Sequence, residues 1–179
     1  MKLSNKRYES IKKDVVDVLI RANIKVFPYD VFDLCEKLGY ECIPYSSFGV
    51  DKAKKMSLIN RDGFRVQLNG QWKIFYNDSQ IQKRIRFTII HEVAHIVRDH
   101  QEACKLAETE ANWFAAYALS PPIIVDMYSI KSVDELSSSF NLTTSCAQNA
   151  MHRYNCWKNI KCELQDYEID LIKQFNRKE

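Results

Sequence analysis

The chain has 179 residues, of which 26 are basic and 23 acidic, giving a formal net charge of +3. With 46% hydrophobic residues, its composition is that of a globular protein rather than a disordered one. So small a charge excess, spread over scattered basic pairs, argues against a nucleic-acid partner. The sequence contains no signal-peptide pattern and no run of about 18 apolar residues, so we expect a cytoplasmic protein without membrane contact.

The first part of the chain predicts two helices and a small sheet. Apolar residues recur at helical spacing over residues 11–23 and 29–38, and residues 40–44 predict a short strand. Alternating apolar residues on both sides of Asn69-Gly70 predict a β-hairpin, because Asn-Gly readily adopts a type I′ turn. The apolar pair Leu58-Ile59 suggests a third antiparallel strand.

The rest of the chain is predicted to be helical. Ser79 and Gln82 have the spacing of a capping box, which predicts a helix that begins near Gln80. The pair Pro121-Pro122 prevents a helix from continuing past that point. The same periodicity predicts further helices over residues 101–119, 133–140, 143–154 and 163–175.

Residues 91–95 read His-Glu-Val-Ala-His and lie in the helix predicted to begin near Gln80. On a helix, two histidines four residues apart project from one face, close enough for both imidazoles to bind a single zinc ion. Glu92 lies beside them, where its carboxylate can act as general base toward an attacking water. The apolar flanks indicate a buried helix, in which these polar side chains need partners. The motif therefore predicts one Zn²⁺ per chain.

A catalytic zinc site needs a third protein ligand, and three arrangements compete. A metzincin ligand would lie six residues after the second histidine, where the chain has Gln101, and His100 comes one residue early. Cys42 lacks the preceding glycine of a deformylase-like ligand. The next predicted helix offers Glu108 and Glu110. Helical phase favours Glu108, which shares a stripe with small residues that allow close approach, and Glu110 is then expected to be a surface carboxylate.

These motifs resemble those of the ImmA/IrrE family of zinc metallopeptidases. The segment Arg86–His95 is similar to the family motif RFT..HE..H, and His100 follows it as in the family. The segment Glu108–Ala115, with the proline after Leu119, is similar to the motif E..AN.FA...L.P. The resemblance covers roughly residues 10–155.

The resemblance implies an active site like that of the thermolysin-type gluzincins. It implies that His91, His95 and Glu108 bind zinc and that Glu92 is the catalytic residue. It also implies a protein substrate, since several family members cleave a helix-turn-helix transcriptional repressor and so act as anti-repressors of mobile elements or stress responses. We therefore expect a zinc-dependent endopeptidase with such a repressor as its partner.

The expected architecture is α+β, with a small antiparallel sheet packed on a zincin-type HExxH helix and a C-terminal helical part. Residues 1–125 would form the metallopeptidase domain, and residues 126–179 a helical subdomain packed on it. Two other functions stay open. Residues 133–154 have the lengths of a helix-turn-helix DNA reader, although its second helix carries little basic charge. A metal-binding regulatory protein without turnover is the other, although a structural site would not need Glu92.

Overall fold

The computed structural model describes residues 2–102, 104–160 and 163–176. These residues form helices and one three-stranded sheet, which confirms the expected α+β class. The helices are α1 (Asn5–Arg21), α2 (Val31–Lys37), α3 (Val50–Ile59), α4 (Gln82–Val97), α5 (Lys105–Leu119), α6 (Pro122–Met127), α7 (Val133–Ser139), α8 (Thr144–Ile160) and α9 (Asp166–Asn176). The strands are β1 (Glu41–Pro44), β2 (Gly63–Leu68) and β3 (Gln71–Tyr76).

The predicted hairpin is present, but the sheet is mixed rather than wholly antiparallel. Strands β2 and β3 pair antiparallel, and Asn69 and Gly70 between them have φ angles of 52° and 79°. Positive φ at both central residues is the signature of a type I′ turn, as predicted. Strand β1 pairs in parallel with β3, giving the order β1-β3-β2. The antiparallel prediction was wrong for β1. Strand β2 begins at the end of the sheet where β1 ends, since Pro44 and Gly63 both pair with Tyr76, so β3 runs back in the direction of β1 and pairs with it.

The strand expected at Leu58-Ile59 is the last turn of α3. This helix buries none of its residues, and Leu58 and Ile59 are both exposed. An isolated apolar pair shows no alternation, so it cannot separate a strand from a helix end. The preceding residues include Lys52, Ala53, Lys54, Lys55 and Met56, all good helix formers, and this local preference favours a helix.

The helix that carries the His-Glu-Val-Ala-His motif begins at Gln82, without the predicted capping box. Its N-cap is Ile81, which makes no side-chain cap. Ser79 instead donates its hydroxyl hydrogen to Asn77 Oδ1, at 2.7 Å. A capping box requires the serine to be the N-cap itself, and Ser79 lies two residues before the N-cap Ile81. The short helix α6, which was not predicted, begins with Pro122, a residue well suited to a first helical position.

Helix α4 lies in the middle of the hydrophobic core. Ile89, Val93 and Ala94 are fully buried, and α4 packs along α5, whose small residues Ala111 and Ala115 are also fully buried. Small side chains at this contact allow the two helices to approach closely. The motif histidines and the acidic residues of α5 are thereby brought to one interface.

One continuous cluster of buried apolar residues joins the C-terminal helices to this core, and it includes Leu136, Phe140 and Leu171. The division of the chain near residue 125 stays a prediction. None of the described helices is long and apolar enough to cross a membrane. The cysteines in the described part of the chain are free thiols, and Cys162 lies outside it.

Gly63, at the start of β2, lets the hairpin approach α4. A Cβ atom at this position would lie 2.7 Å from Thr88 Cγ2 and 2.8 Å from the carbonyl oxygen of Phe75. We expect Gly63→Ala to lower the free energy of unfolding by about 1–3 kcal/mol, the usual cost of overpacking. Adding Thr88→Ser removes one of the two collisions and should restore part of the loss in denaturant titrations. An unchanged unfolding midpoint for Gly63→Ala would contradict this close packing.

Candidate metal centre

Helices α4 and α5 bring two imidazoles and one carboxylate together. The Nε2 atoms of His91 and His95 are 3.0 Å apart. The carboxylate of Glu108 lies 3.4 Å from each of them, with Oε2 toward His91 and Oε1 toward His95. The ligand atoms of the three residues all lie within 4.8 Å of one another. Of the three arrangements considered from the sequence, the one with Glu108 brings the residues together.

The separations in this group fit a zinc ion. Nitrogen and oxygen ligands bind zinc at about 2.0–2.2 Å with tetrahedral geometry, which places two ligand atoms about 3.3–3.5 Å apart. The observed distances of 3.0 Å and 3.4 Å are close to this value. The side chain of Glu108 is 49% exposed, whereas that of His95 is only 4% exposed. The group is therefore fixed on the inner side and open to solvent on the other, as a catalytic metal site requires.

Both histidines are held in the uncharged form. Burial is the main reason that the pKa of His95 falls to about 3, and the nearby positive charge of Arg65 adds to this effect. Burial also lowers the pKa of His91, although Glu108 opposes this shift. Because a metal ion binds the neutral imidazole, these shifts favour metal binding at neutral pH.

The carboxylate of Glu92 lies in the interior beside the histidine pair. Its burial raises its pKa to about 7, and the nearby Arg65 guanidinium opposes this shift. Arg65 Nη1 lies 3.5 Å from Glu92 Oε2, and Arg65 Nη2 donates to the carbonyl oxygen of His100 at 2.6 Å. A carboxyl group with a pKa near neutrality can both accept and release a proton, which is what a general acid-base residue must do.

Arg65 was not identified from the sequence. Arg65 alternates with apolar residues in β2, so the hairpin pattern predicts that its side chain projects from the face of the strand opposite the apolar side chains. The pattern does not predict that this face lies over the end of α4. Only the packing of β2 on α4 places Arg65 between Glu92 and His100.

Glu110 is buried, so the prediction of a surface carboxylate was wrong. It is only 3% exposed. Its Oε2 accepts a hydrogen bond from Arg98 Nε at 2.8 Å and lies 3.1 Å from His100 Nε2, while Oε1 pairs with Arg7. Burial alone would raise the pKa of Glu110, but the hydrogen bonds from Arg98, His100 and Arg7 outweigh it and hold the pKa at about 2. These partners come from α1 and from the segment after α4, which helical phase alone cannot reveal.

A cleft of about 340 Å³ opens beside the group formed by His91, His95 and Glu108. Its lining includes Arg65, Trp72, His95, His100, Glu102 and Glu108. Strand β2 forms one wall and is an edge strand of the sheet. Within the described residues, no other strand pairs with the outer edge of β2, so the main-chain groups along that edge have no strand partner.

Residues 43–150 match the model of the Peptidase M78 family, described as the IrrE N-terminal-like domain. The match covers well over half of the 179 residues. The chain belongs to the Peptidase M78 family. This confirms the resemblance to the ImmA/IrrE metallopeptidases on which the sequence interpretation relied. Among curated proteins, no sequence matches the chain significantly.

The Peptidase M78 family is a family of metallopeptidases, and the His-His-Glu group of this chain fits its membership in that family. The matched range begins in β1 and ends in α8, so it contains α4 and α5 with all the predicted site residues. Helix α1 lies before the matched range, although it supplies Arg7 and Asp14 to the charged cluster around Glu110. The surroundings of the metal group therefore include residues that the family match does not cover.

Proposed function

We propose that this chain is a zinc-dependent endopeptidase with His91, His95 and Glu108 as zinc ligands and Glu92 as catalytic base. The observation that carries the proposal is the His-His-Glu group with a buried carboxylate beside it, in a member of a peptidase family. A zinc ion held by His91, His95 and Glu108 would supply Lewis-acid chemistry, by which the scissile carbonyl would be polarised for attack by water. The described chain provides three ligands and an exposed side, which is typical of a catalytic rather than a structural site.

Glu92 performs the proton transfers in this proposal. A carboxylate oxygen of Glu92 accepts a proton from the attacking water and then gives it to the nitrogen of the leaving amine. Arg65, 3.5 Å away, partly balances the charge of the carboxylate and limits its orientations. The small exposed fraction of Glu92, 7%, keeps bulk water from competing for the proton.

An extended peptide is the substrate shape that this site favours. The outer edge of β2 can pair with a peptide through main-chain hydrogen bonds, as strand addition to a sheet edge does in many peptide-binding proteins. Such a peptide would run along the cleft past His95 and Glu108. We propose that it is supplied by a helix-turn-helix transcriptional repressor, so that the protein acts as an anti-repressor. This part of the proposal rests on the resemblance to the ImmA/IrrE family.

DNA binding through residues 133–154 is the alternative with the least support. Arg153 is the only arginine or lysine of the predicted second helix, residues 143–154. Its Nη2 donates to the carbonyl oxygen of Ala116 at 2.8 Å and to Ser120 Oγ at 3.2 Å. It therefore faces α5, where it cannot contact phosphate groups. We expect no salt-dependent binding to duplex DNA in titrations.

The proposal is tested by incubating the protein with the helix-turn-helix repressor encoded beside its gene. Cleavage is expected with zinc, absent after removal of zinc by a chelator, and restored when zinc is added back. An unrelated helix-turn-helix protein is the control and should stay intact. Cleavage of an unstructured protein such as casein without cleavage of the repressor would contradict the repressor assignment alone. Failure of the zinc-loaded protein to cleave any of them would favour a regulatory protein without turnover.

A further inference from the structure

A chain of three side chains connects the buried carboxylate of Glu110 to the metal group. His95 Nδ1 lies 3.0 Å from His100 Nδ1. The other ring nitrogen of His100, Nε2, lies 3.1 Å from Glu110 Oε2. His95 Nε2, at the far side of its ring, is the atom that faces His91 and Glu108. Two consecutive hydrogen bonds therefore link Glu110 to Nδ1 of His95, the ring nitrogen that faces away from the predicted zinc site.

The direction of these hydrogen bonds is set at Glu110. Arg98 donates to one oxygen of this carboxylate and Arg7 pairs with the other, so Glu110 is ionised and can only accept. His100 must then donate from Nε2. In the proposed zinc site His95 binds the metal through Nε2, so its Nδ1 carries the ring proton and donates to His100 Nδ1. His100 Nδ1 is then an acceptor.

The hydrogen bonds on the two sides of His100 are consistent with each other. With His100 Nε2 donating to Glu110 and His100 Nδ1 accepting from His95, they favour the form of His95 whose Nε2 carries no proton. An unprotonated Nε2 is the form that a metal ligand at this position needs. His91 differs, since its Nδ1 is buried and has no hydrogen-bond partner in the described part of the chain. The relay, by which we mean the hydrogen-bonded chain Glu110-His100-His95, therefore reaches only one of the two motif histidines, His95.

We propose that Glu110, acting through His100, is a positioning residue that holds His95 in the tautomer with Nε2 free to bind the metal. The inference rests on the proposed role of His95 as a zinc ligand. The relay is anchored beyond α5, because Arg98 also pairs with Asp14 of α1. Histidine ligands of zinc are commonly oriented by a carboxylate bound directly to the second ring nitrogen. Here a second histidine is interposed between the carboxylate and the ligand.

The tautomer of His95 can be measured without metal and without substrate. We would record long-range ¹H–¹⁵N NMR spectra of the metal-free full-length protein, in which the two ring nitrogens of each histidine are distinguished by their shifts. Glu110→Gln and His100→Phe are the test variants, and His100→Phe keeps the ring while removing both hydrogen bonds. Asp14→Asn is the matched control, since it disturbs the same charged cluster without touching His100. Zinc affinity of each protein is measured by competition with a chelator.

The parent and Asp14→Asn should carry the proton of His95 on Nδ1. Both test variants should lose this preference and bind zinc about 10–100-fold more weakly, the usual effect of removing such a partner. Glu108→Gln should also weaken zinc binding but leave the tautomer of His95 unchanged, which separates ligand loss from loss of positioning. A parent with His95 protonated on Nε2, or a His100→Phe variant with parental tautomer and affinity, would overturn the inference. Failure to cleave protein would count only against the proposed peptidase activity.

Discussion

Replacing Glu92 with glutamine is expected to lower the rate of peptide cleavage by about 10²–10⁴-fold, the usual contribution of general acid-base catalysis. Glutamine keeps the size and polarity of the side chain but cannot accept a proton from water. Zinc content should stay at the parental value, because Glu92 is not among the grouped ligand atoms. The variant would therefore bind substrate as the parent does but cleave it much more slowly.

The measurement compares zinc content and cleavage in the same preparation of each protein. Glu36→Gln is the matched control, since Glu36 is an exposed residue of α2 far along the chain from the motif. It should cleave at the parental rate. A zinc-loaded Glu92→Gln protein with parental cleavage would contradict the assigned role. Another residue would then have to activate the water, or the metal would have a regulatory role.

Replacing His95 with alanine is expected to abolish stoichiometric zinc binding at micromolar concentrations. The remaining ligands, His91 and Glu108, are too few to hold the ion, because even catalytic zinc sites use three protein ligands. The parent should be stabilised by added zinc, by about 4 kcal/mol when free zinc exceeds its dissociation constant a thousandfold. The variant should gain no stability from the same zinc concentration in thermal unfolding.

His152→Ala is the control for this prediction, because His152 is an exposed histidine on α8. It should bind one zinc per chain and show the parental stabilisation. If His95→Ala kept its zinc while His152→Ala lost it, the metal would have to be assigned to α8. Equal zinc content in all three proteins would show that neither histidine is a ligand.

The hairpin and the grouping of His91, His95 and Glu108 were predictable because their signals are local. Asn69-Gly70 specifies its turn through its own backbone preferences, and the spacing of His91 and His95 places both on one face of a helix whatever surrounds it. The preference for Glu108 over Glu110 also used only the phase of one helix. In each case the relevant geometry is contained in fewer than about fifteen residues.

The surroundings of the site were not predictable in this way. The contacts of Glu110 come from Arg7, Arg98 and His100, of which Arg7 is separated from it by 103 residues. Arg65 reaches Glu92 only because β2 packs on α4, and no periodic pattern encodes that packing. The spacing of residues three or four apart indicates which face of a helix they share, but it does not indicate which other element packs against that face. Long-range partners therefore had to come from the structure.

The most direct test of the proposed metal centre is diffraction from crystals of the zinc-loaded protein, measured on both sides of the zinc absorption edge. We expect one anomalous peak per chain, at about 2.0–2.2 Å from Nε2 of His91, Nε2 of His95 and a carboxylate oxygen of Glu108. His100 and Glu110 should stay outside the ligand set and keep their mutual contact. A peak coordinated by His100 or Glu110 in place of Glu108, or bound away from α4, would contradict the account.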